Sequence, residues 1–362
     1  YVIVNIENAQ AEIYIDGVKT ATDTFSDIER FKGSNGGDDQ FIGGAGDQIF
    51  DGVSGANDTL SYEYISNNTD KVTVDFENET ATVKVGDTDS FSNIDKVIGS
   101  RNDDTFKMSG GNKTIDGGKG ADGTYATGGI DTADYSSYIS DVTVDFGNNA
   151  NNSEGDSFTS IERAVGGSGK DTFRTNTAVN NEFVGGLASD TIDYSNLDQR
   201  INLSLADGDG EATAYIGNNT SAETTDINYK DDKVSQIENV KGSSVVDTIV
   251  GNSIANTISG NQGADTLKGG DGNDFLYGDE ILNDETGVMD FADTLYGETG
   301  NDKLYGGLGG DTLYGGDGAD TLLGQAGNDT LLGGANDDEL DGGSGSDTVD
   351  YNSAFSAVTV NL

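Results

Sequence analysis

Aspartate set beside glycine at nine-residue intervals is the pattern in this chain best suited to do chemistry. Residues 306–332 read GGLGGDTLYGGDGADTLLGQAGNDTLL, and the nonapeptide runs from Gly251 to Asp350. Its sixth position is Asp265, Asp274, Asp293, Asp302, Asp311, Asp320, Asp329, Asp338 and Asp347, with Asn256 in the leading copy. Glycine allows the positive φ and close approach of a tight turn, which exposes backbone carbonyls. Carboxylates and carbonyls in rows are hard oxygen donors. They suit Ca²⁺, which takes six to eight oxygens at about 2.3–2.6 Å, better than Mg²⁺, which gives up water reluctantly and wants an octahedron. Isolated turns of the same kind earlier in the chain add Asp39, Asp104, Asp122, Asp171, Asp190 and Asp247 as candidate ligands, although each alone is also what a solvated turn looks like.

The elements that must position these groups follow from the spacing. Position eight is Ile258, Leu267, Leu276, Leu295, Leu304, Leu313, Leu322, Leu331, Leu340 and Val349. An Asp-x-Leu stretch reads as a short strand with Leu inward and its neighbours outward, so the Leu stripe is core. Residues 1–250 carry a longer unit. It opens on DTLSY (58–62), DTADY (131–135) or DTIDY (190–194), continues with VTVDF (72–76 and 142–146) or INLSL (201–205), and closes on FSNIDKVIG (91–99), FTSIERAVG (158–166) or VSQIENVKG (234–242). The alternation argues strands, and no 3.6-residue period argues a long helix. The expected organisation is therefore strand-rich modules over 1–250 (near 1–57, 58–130, 131–189 and 190–250), a regular block over 251–350, and the start of a further module over 351–362. Residues 2–6 match the expected strand 358–362, which suggests a segment of a longer array or a subunit whose ends meet head to tail.

Composition narrows the function. With 65 acidic against 19 basic residues the net charge is −46, which repels nucleic acid and anionic membranes. No Cys, His, Pro or Trp is present. That removes disulfides, thiolate and imidazole metal sites, and His- or Cys-based nucleophiles. No transmembrane run or signal peptide is visible. A chain so charged and only 33 % hydrophobic needs a ligand to order it, and metal ions are the usual staple where disulfides are lacking.

The GGxGxDxUx pattern resembles the RTX, or haemolysin-type, calcium-binding repeat, densely over 251–350 and partially over 1–250. The upstream IExVxGS…DDTF units look like those found between RTX blocks in large secreted bacterial adhesins and surface-layer proteins. The resemblance implies a right-handed parallel β-roll or β-helix solenoid, all-β, with two nonapeptides per turn and multiple Ca²⁺ between turns. It implies as ligands the sixth-position Asp side chains, helped by carbonyls of glycines such as Gly306, Gly309, Gly315 and Gly318. The pattern departs at Asn256, at Asn336 where glycine is expected, and at the insertion 280–291, expected to interrupt the stack.

Other candidates are weaker. Tyr277, Tyr296, Tyr305 and Tyr314 fall at the outward ninth position and read as flank cover or a partner strip. Glu29, Glu162 and Glu238 read first as structural residues at strand ends, with a metal or hydrogen-bonding position as the alternative. Asn67, Asn78 and Asn219 lie in sequons of the kind chance supplies in an Asn- and Thr-rich chain. The leading function is a non-catalytic, calcium-rigidified structural segment of a secreted bacterial surface or matrix protein, with copies of itself or neighbouring modules as partners and without nucleic acid or membrane insertion. The alternative is the C-terminal folding and secretion module of an enzyme or toxin. Acidic residues could serve a carboxylate-only hydrolase, but the repeat period explains them without catalysis.

Overall fold

Short β-patterned runs punctuated every few residues by glycine and aspartate leave no stretch long enough to wind a helix. In the computed structural model every regular element among the described residues is a strand. The structure describes residues 1–6, 9–15, 17–53, 57–65, 71–84, 87–119, 129–148, 152–175, 180–217, 231–279 and 291–352. The expected strand at 358–362 with its module, Asp122, and the sequons at Asn67 and Asn219 lie outside them. Among the described residues no helix is long and apolar enough to cross a membrane. The chain forms two units, Tyr1–Ser168 and Gly169–Leu362.

In the second unit, successive nonapeptides alternate between two parallel sheets. One contains Thr248–Val250, Thr266–Asp271, Thr294–Thr299, Thr312–Asp317, Thr330–Ala335 and Thr348–Val349. The other contains Asn239–Lys241, Thr257–Asn261, Phe275–Asp279, Lys303–Leu308, Thr321–Gly327 and Glu339–Asp341. Register advances by eighteen residues, as in Leu313↔Leu331 and Leu304↔Leu322, so each coil holds two nonapeptides. This is a β-roll. Strand side chains alternate between faces, and the inward one is position eight: Ile258, Leu267, Leu276, Leu295, Leu304, Leu313, Leu322 and Leu331 are fully buried. Leu340 is only half-buried and Val349 is exposed.

The insertion does not interrupt the stack, contrary to the expectation from sequence. Thr266 pairs with Thr294 and Phe275 with Lys303, so the ladder resumes in phase beyond the insertion, whose residues 280–290 lie outside the described ones. Strand pairing constrains only the residues on either side of an insertion, so its length does not set the register.

The first unit is built on the same principle with larger inward side chains. Parallel ladders join Ile3–Asn5 to Gln40–Ile42, Thr59–Ser61, Lys96–Ile98, Thr114–Asp116 and Ser157–Thr159, and Thr73–Asp75 to Thr105–Lys107, Thr132–Asp134 and Arg163–Val165. Phe41, Phe50, Leu60, Phe106 and Ile115 fill its interior. The VTVDF strand 73–75 turns back antiparallel onto Thr80–Lys84, which pairs with Asp87–Ser92. A like insertion in the second unit joins Ile201–Ser204, Glu211–Ile216 and Asp231–Ser235. These hairpins are what lengthens the upstream repeat.

Candidate metal centre

Each sixth-position aspartate sits where a glycine turn enters a strand, and one carboxylate oxygen, Oδ1, is spent holding the neighbouring coil. The N–H of Asp265 donates to Asp293 Oδ1, Asp293 to Asp311, Asp311 to Asp329 and Asp329 to Asp347, at 2.7 to 3.1 Å. The other edge repeats this from Asn256 to Asp274, Asp302, Asp320 and Asp338, at 2.8 to 3.1 Å. Two carboxylate columns therefore run along the roll, one at the entry to each sheet.

The second oxygen has no such use. Oδ2 of Asp265, Asp274, Asp293, Asp302, Asp311, Asp320 and Asp329 is buried without a hydrogen-bond partner. Seven orphaned carboxylate oxygens in one block are anomalous, since buried polar atoms are nearly always paired and an unpaired one costs about 1–3 kcal/mol, more when charged. Their surroundings show what is missing. A Cβ at Gly315 would collide with Asp320 Oδ2 and the Gly333 carbonyl, and one at Gly297 with Asp302 Oδ2 and the Gly315 carbonyl. Carboxylate and carbonyl oxygens thus converge beside the first glycine of each repeat, in a space open only because it lacks a side chain. Gly306 repeats the arrangement with Asp311 Oδ2 and the Gly324 carbonyl. Gly309 and Gly318 serve differently: φ values of 127° and 149° put them in the region only glycine adopts freely, where they turn the chain over the carbonyls of Phe291 and Gly300. Asn336, standing at that position, takes a φ of 76°, which asparagine tolerates.

Burial among like charges lifts these carboxyls. Desolvation, reinforced by neighbouring carboxylates, raises Asp265 to about 9, Asp293 to about 8, Asp274 and Asp311 to about 7 and Asp320 to about 6. Burial likewise raises Asp302, Asp329 and Asp338. A row that resists ionisation on its own is one that a cation would stabilise.

The remaining sequence candidates divide by their partners. Asp39 receives the Ser34 N–H at 2.5 Å and its hydroxyl at 3.0 Å, and the Val2 N–H at 2.6 Å. Asp104 is held by Ser100 and Val72, and Asp247 by Ser243 and Ile201, in the same manner. Asp171 is buried and donates its N–H to Asp190 Oδ1 at 2.7 Å. Asp338 is half-buried and Asp347 exposed. Asn256 is satisfied as an amide by Asn252 and the Glu238 carbonyl. Glu162 and Glu238 accept the N–H of Asp131 at 3.1 Å and of Asp190 at 2.8 Å, a hydrogen-bonding role.

Asp58 and Asp232 escaped the sequence reading. Asp232 is fully buried, with its Oδ1 accepting the Asn181 N–H at 3.0 Å and its Oδ2 unpartnered. Asp58 is fully buried, its Oδ1 accepts the Asp39 N–H at 2.7 Å, and its Oδ2 is unpartnered beside Gly52. The signal was present, since Asp58-Thr59-Leu60 is the Asp-Thr-Leu of the nonapeptide.

Among the described residues no three acidic side chains converge as a metal cluster. The donor set is instead one carboxylate per rung with backbone carbonyls, all hard oxygens, which fits Ca²⁺ and not a thiophilic or imidazole-seeking metal. No curated protein sequence matches the chain. The family model of the RTX calcium-binding nonapeptide repeat (4 copies) matches residues 246–280, 289–322 and 314–349. Those residues carry the orphaned carboxylates of the roll, and this stretch of the chain is a block of RTX-type repeats.

Proposed function

We propose that this chain is a non-catalytic, calcium-binding structural segment of a secreted bacterial cell-surface or extracellular-matrix protein, ordered by Ca²⁺ and able to assemble head to tail with copies of itself or with neighbouring modules. The observation that carries the reading is the set of seven buried Oδ2 atoms without partners, each beside a glycine that leaves it room. In this reading Asp265, Asp274, Asp293, Asp302, Asp311, Asp320 and Asp329 hold the ions with carbonyls of the first-position glycines, including Gly306 and Gly315. The bound cation supplies the positive charge that lets the carboxyls ionise while buried. Calcium sites of extracellular modules work at roughly 0.1–1 mM, and an extracellular place of work fits a chain that needs that much calcium to order it. The acidic residues are accounted for by the turns, which supports a structural role.

Calcium titration followed by far-ultraviolet circular dichroism, with electron microscopy of the same samples, tests this. β-structure and filaments or sheets appearing together near about 1 mM Ca²⁺ are expected. Folding to monomers alone would move the reading to a spacer or secretion module, and β-structure indifferent to a chelator would overturn it.

A further inference from the structure

The flank of the roll carries a groove that the calcium sites do not use. Across the parallel strands of the second unit, Lys241, Ser259, Tyr277, Tyr305 and Leu323 stand in register as one outward row. Tyr277 and Tyr305 stack with centroids 4.8 Å apart and planes 7° from parallel. On the other side of Tyr277 the next rung carries Ser259, too short to continue the stack. The outer face of the Tyr277 ring is therefore left over a cavity of about 390 Å³, walled by Thr191, Asn239, Lys241, Thr257 and Ser259. That volume lies within the range of small-ligand sites, about 300–1,000 Å³.

The walls are mostly apolar and carry a few unspent hydrogen-bonding groups. The hydroxyls of Thr191, Thr257 and Ser259 have no partner among the described residues. Asn239 gives its carbonyl to the Thr257 N–H at 3.0 Å and one amide hydrogen to Ser189 at 2.9 Å, which leaves one N–H for a ligand. Exposed Lys241 makes no ion pair among the described residues. Charge decides the ligand class. A net charge of −46 repels polyanions, and the Lys241 ammonium inside the groove disfavours a cation. A neutral ligand with an apolar face and many hydroxyls satisfies both limits. The electron-rich face of tyrosine favours the slightly positive C–H groups of such a ring.

We propose that this groove binds a neutral saccharide, with one pyranose ring stacked on the open face of Tyr277 and its hydroxyls bonded to Thr191, Asn239, Lys241, Thr257 and Ser259. The register that ends the tyrosine stack at Ser259 builds the site, so one substitution should fill it. Ser259→Tyr continues the column with a side chain the roll already carries at that position, whereas Tyr277→Ala removes the platform.

The test uses the full chain in calcium, with maltotriose, cellotriose, tri-N-acetylchitotriose and trigalacturonate as probes, read by saturation-transfer NMR and by tyrosine fluorescence. At least one neutral trisaccharide should bind with a millimolar or lower Kd. Tyr277→Ala should weaken it at least roughly tenfold, Tyr277→Phe should retain it, and Ser259→Tyr should abolish it with circular dichroism and calcium midpoint unchanged. Should Ser259→Tyr fail to fold, Ser259→Gln fills the same slot without a ring. Tyr296→Ala, in the separate Tyr296–Tyr314 stack, should leave binding unchanged. The proposal is overturned if no neutral probe binds at about 10 mM, if only trigalacturonate binds, or if binding survives both Tyr277→Ala and the filled slot.

Discussion

Two kinds of turn in this molecule place the same aspartate against the same glycine and finish the job differently. At Gly99 and at Gly315, a Cβ would strike the Oδ2 of the aspartate five residues on, Asp104 and Asp320 respectively. After Gly99 comes Ser100, whose N–H bonds Asp104 Oδ2 at 2.5 Å and whose hydroxyl bonds Oδ1 at 2.9 Å. Gly315 is followed by Gly316, which has no hydroxyl and whose N–H does not reach Asp320 Oδ2, so that oxygen stays unpartnered. Ser34 and Ser243 close Asp39 and Asp247 as Ser100 does. A turn of this geometry therefore needs positive partners for its second oxygen, and they are either supplied by the chain or left to a cation. In serine-closed turns the chain itself supplies the partners; in the roll, on the function proposed above, calcium supplies them.

The largest effect expected from that contrast is on calcium removal. With a chelator, amide protection of Thr294–Thr299, Thr312–Asp317 and Thr330–Ala335 should fall by roughly a hundredfold or more, the loss of about 2.7 kcal/mol of linkage. Protection of Thr105–Lys107, beside Ser100 and Asp104, should change less than about tenfold. Hydrogen exchange with mass spectrometry reads both regions in one sample, and equal loss in both would erase the distinction.

Acid should replace part of what calcium does. The roll carboxyls, lifted by desolvation to between about 6 and about 9 where a value is resolved, keep protons in the folded chain that the unfolded chain releases near 3.8. The folded state then binds more protons between those limits, so without calcium its stability is greatest in acid and falls as pH rises from about 4 towards 9. Calcium reverses the sign, because it needs the carboxylate: its midpoint concentration should drop as pH rises over the same range. Circular dichroism at pH 5 and 8, with and without chelator, should show apo β-structure recovering at the lower pH.

Single substitutions resolve the contrast further. Gly315→Ala puts a methyl where Asp320 Oδ2 and the Gly333 carbonyl meet, and should cost about 2–3 kcal/mol together with a raised calcium midpoint. Ser100→Gly strips Asp104 of its hydroxyl partner and should cost about 1–2 kcal/mol in chelator. If calcium then restores that loss, the serine was standing in for the metal; if it does not, the upstream turn cannot accept one.

Much of this was legible in the sequence, for a physical reason. A nine-residue period with Gly, Asp and Leu at fixed offsets marks turn, short strand and core in residues 251–350, whereas the roll with two repeats per coil followed from the resemblance to the RTX repeat. The hairpins after VTVDF and INLSL could be read as strands but not as antiparallel insertions, because alternation fixes faces and says nothing of partners. The insertion at 280–291 was misjudged as a break, since its length conceals that pairing resumes in phase. The serine closures were hidden in plain view: GS preceded DDTF in the quoted units, but whether a hydroxyl reaches a carboxylate depends on the fold of the turn.

The contrast extends to the aromatic side chains, and there the smallest effect is expected. In the first unit aromatics are core, as with fully buried Phe41, Phe50 and Phe106, whereas in the roll Leu fills the interior and tyrosines line the flank. Tyr296 stacks on Tyr314 with centroids 4.6 Å apart and lies under the Lys268 ammonium at 5.2 Å. Such a pair is worth about 0.5–1.5 kcal/mol beyond its buried area, and an exposed cation over a ring about 0.5–1. Tyr296→Ala should therefore cost about 1 kcal/mol, with no change in calcium midpoint beyond that coupling, because the ring contacts neither carboxylate column. Phe106→Ala should cost about 3–5 kcal/mol by opening a cavity. Chemical denaturation in saturating calcium compares the two. A Tyr296→Ala penalty as large as that of Phe106→Ala would mean that the flank stack carries the roll as the core carries the first unit, and that the two regions differ in their turns alone.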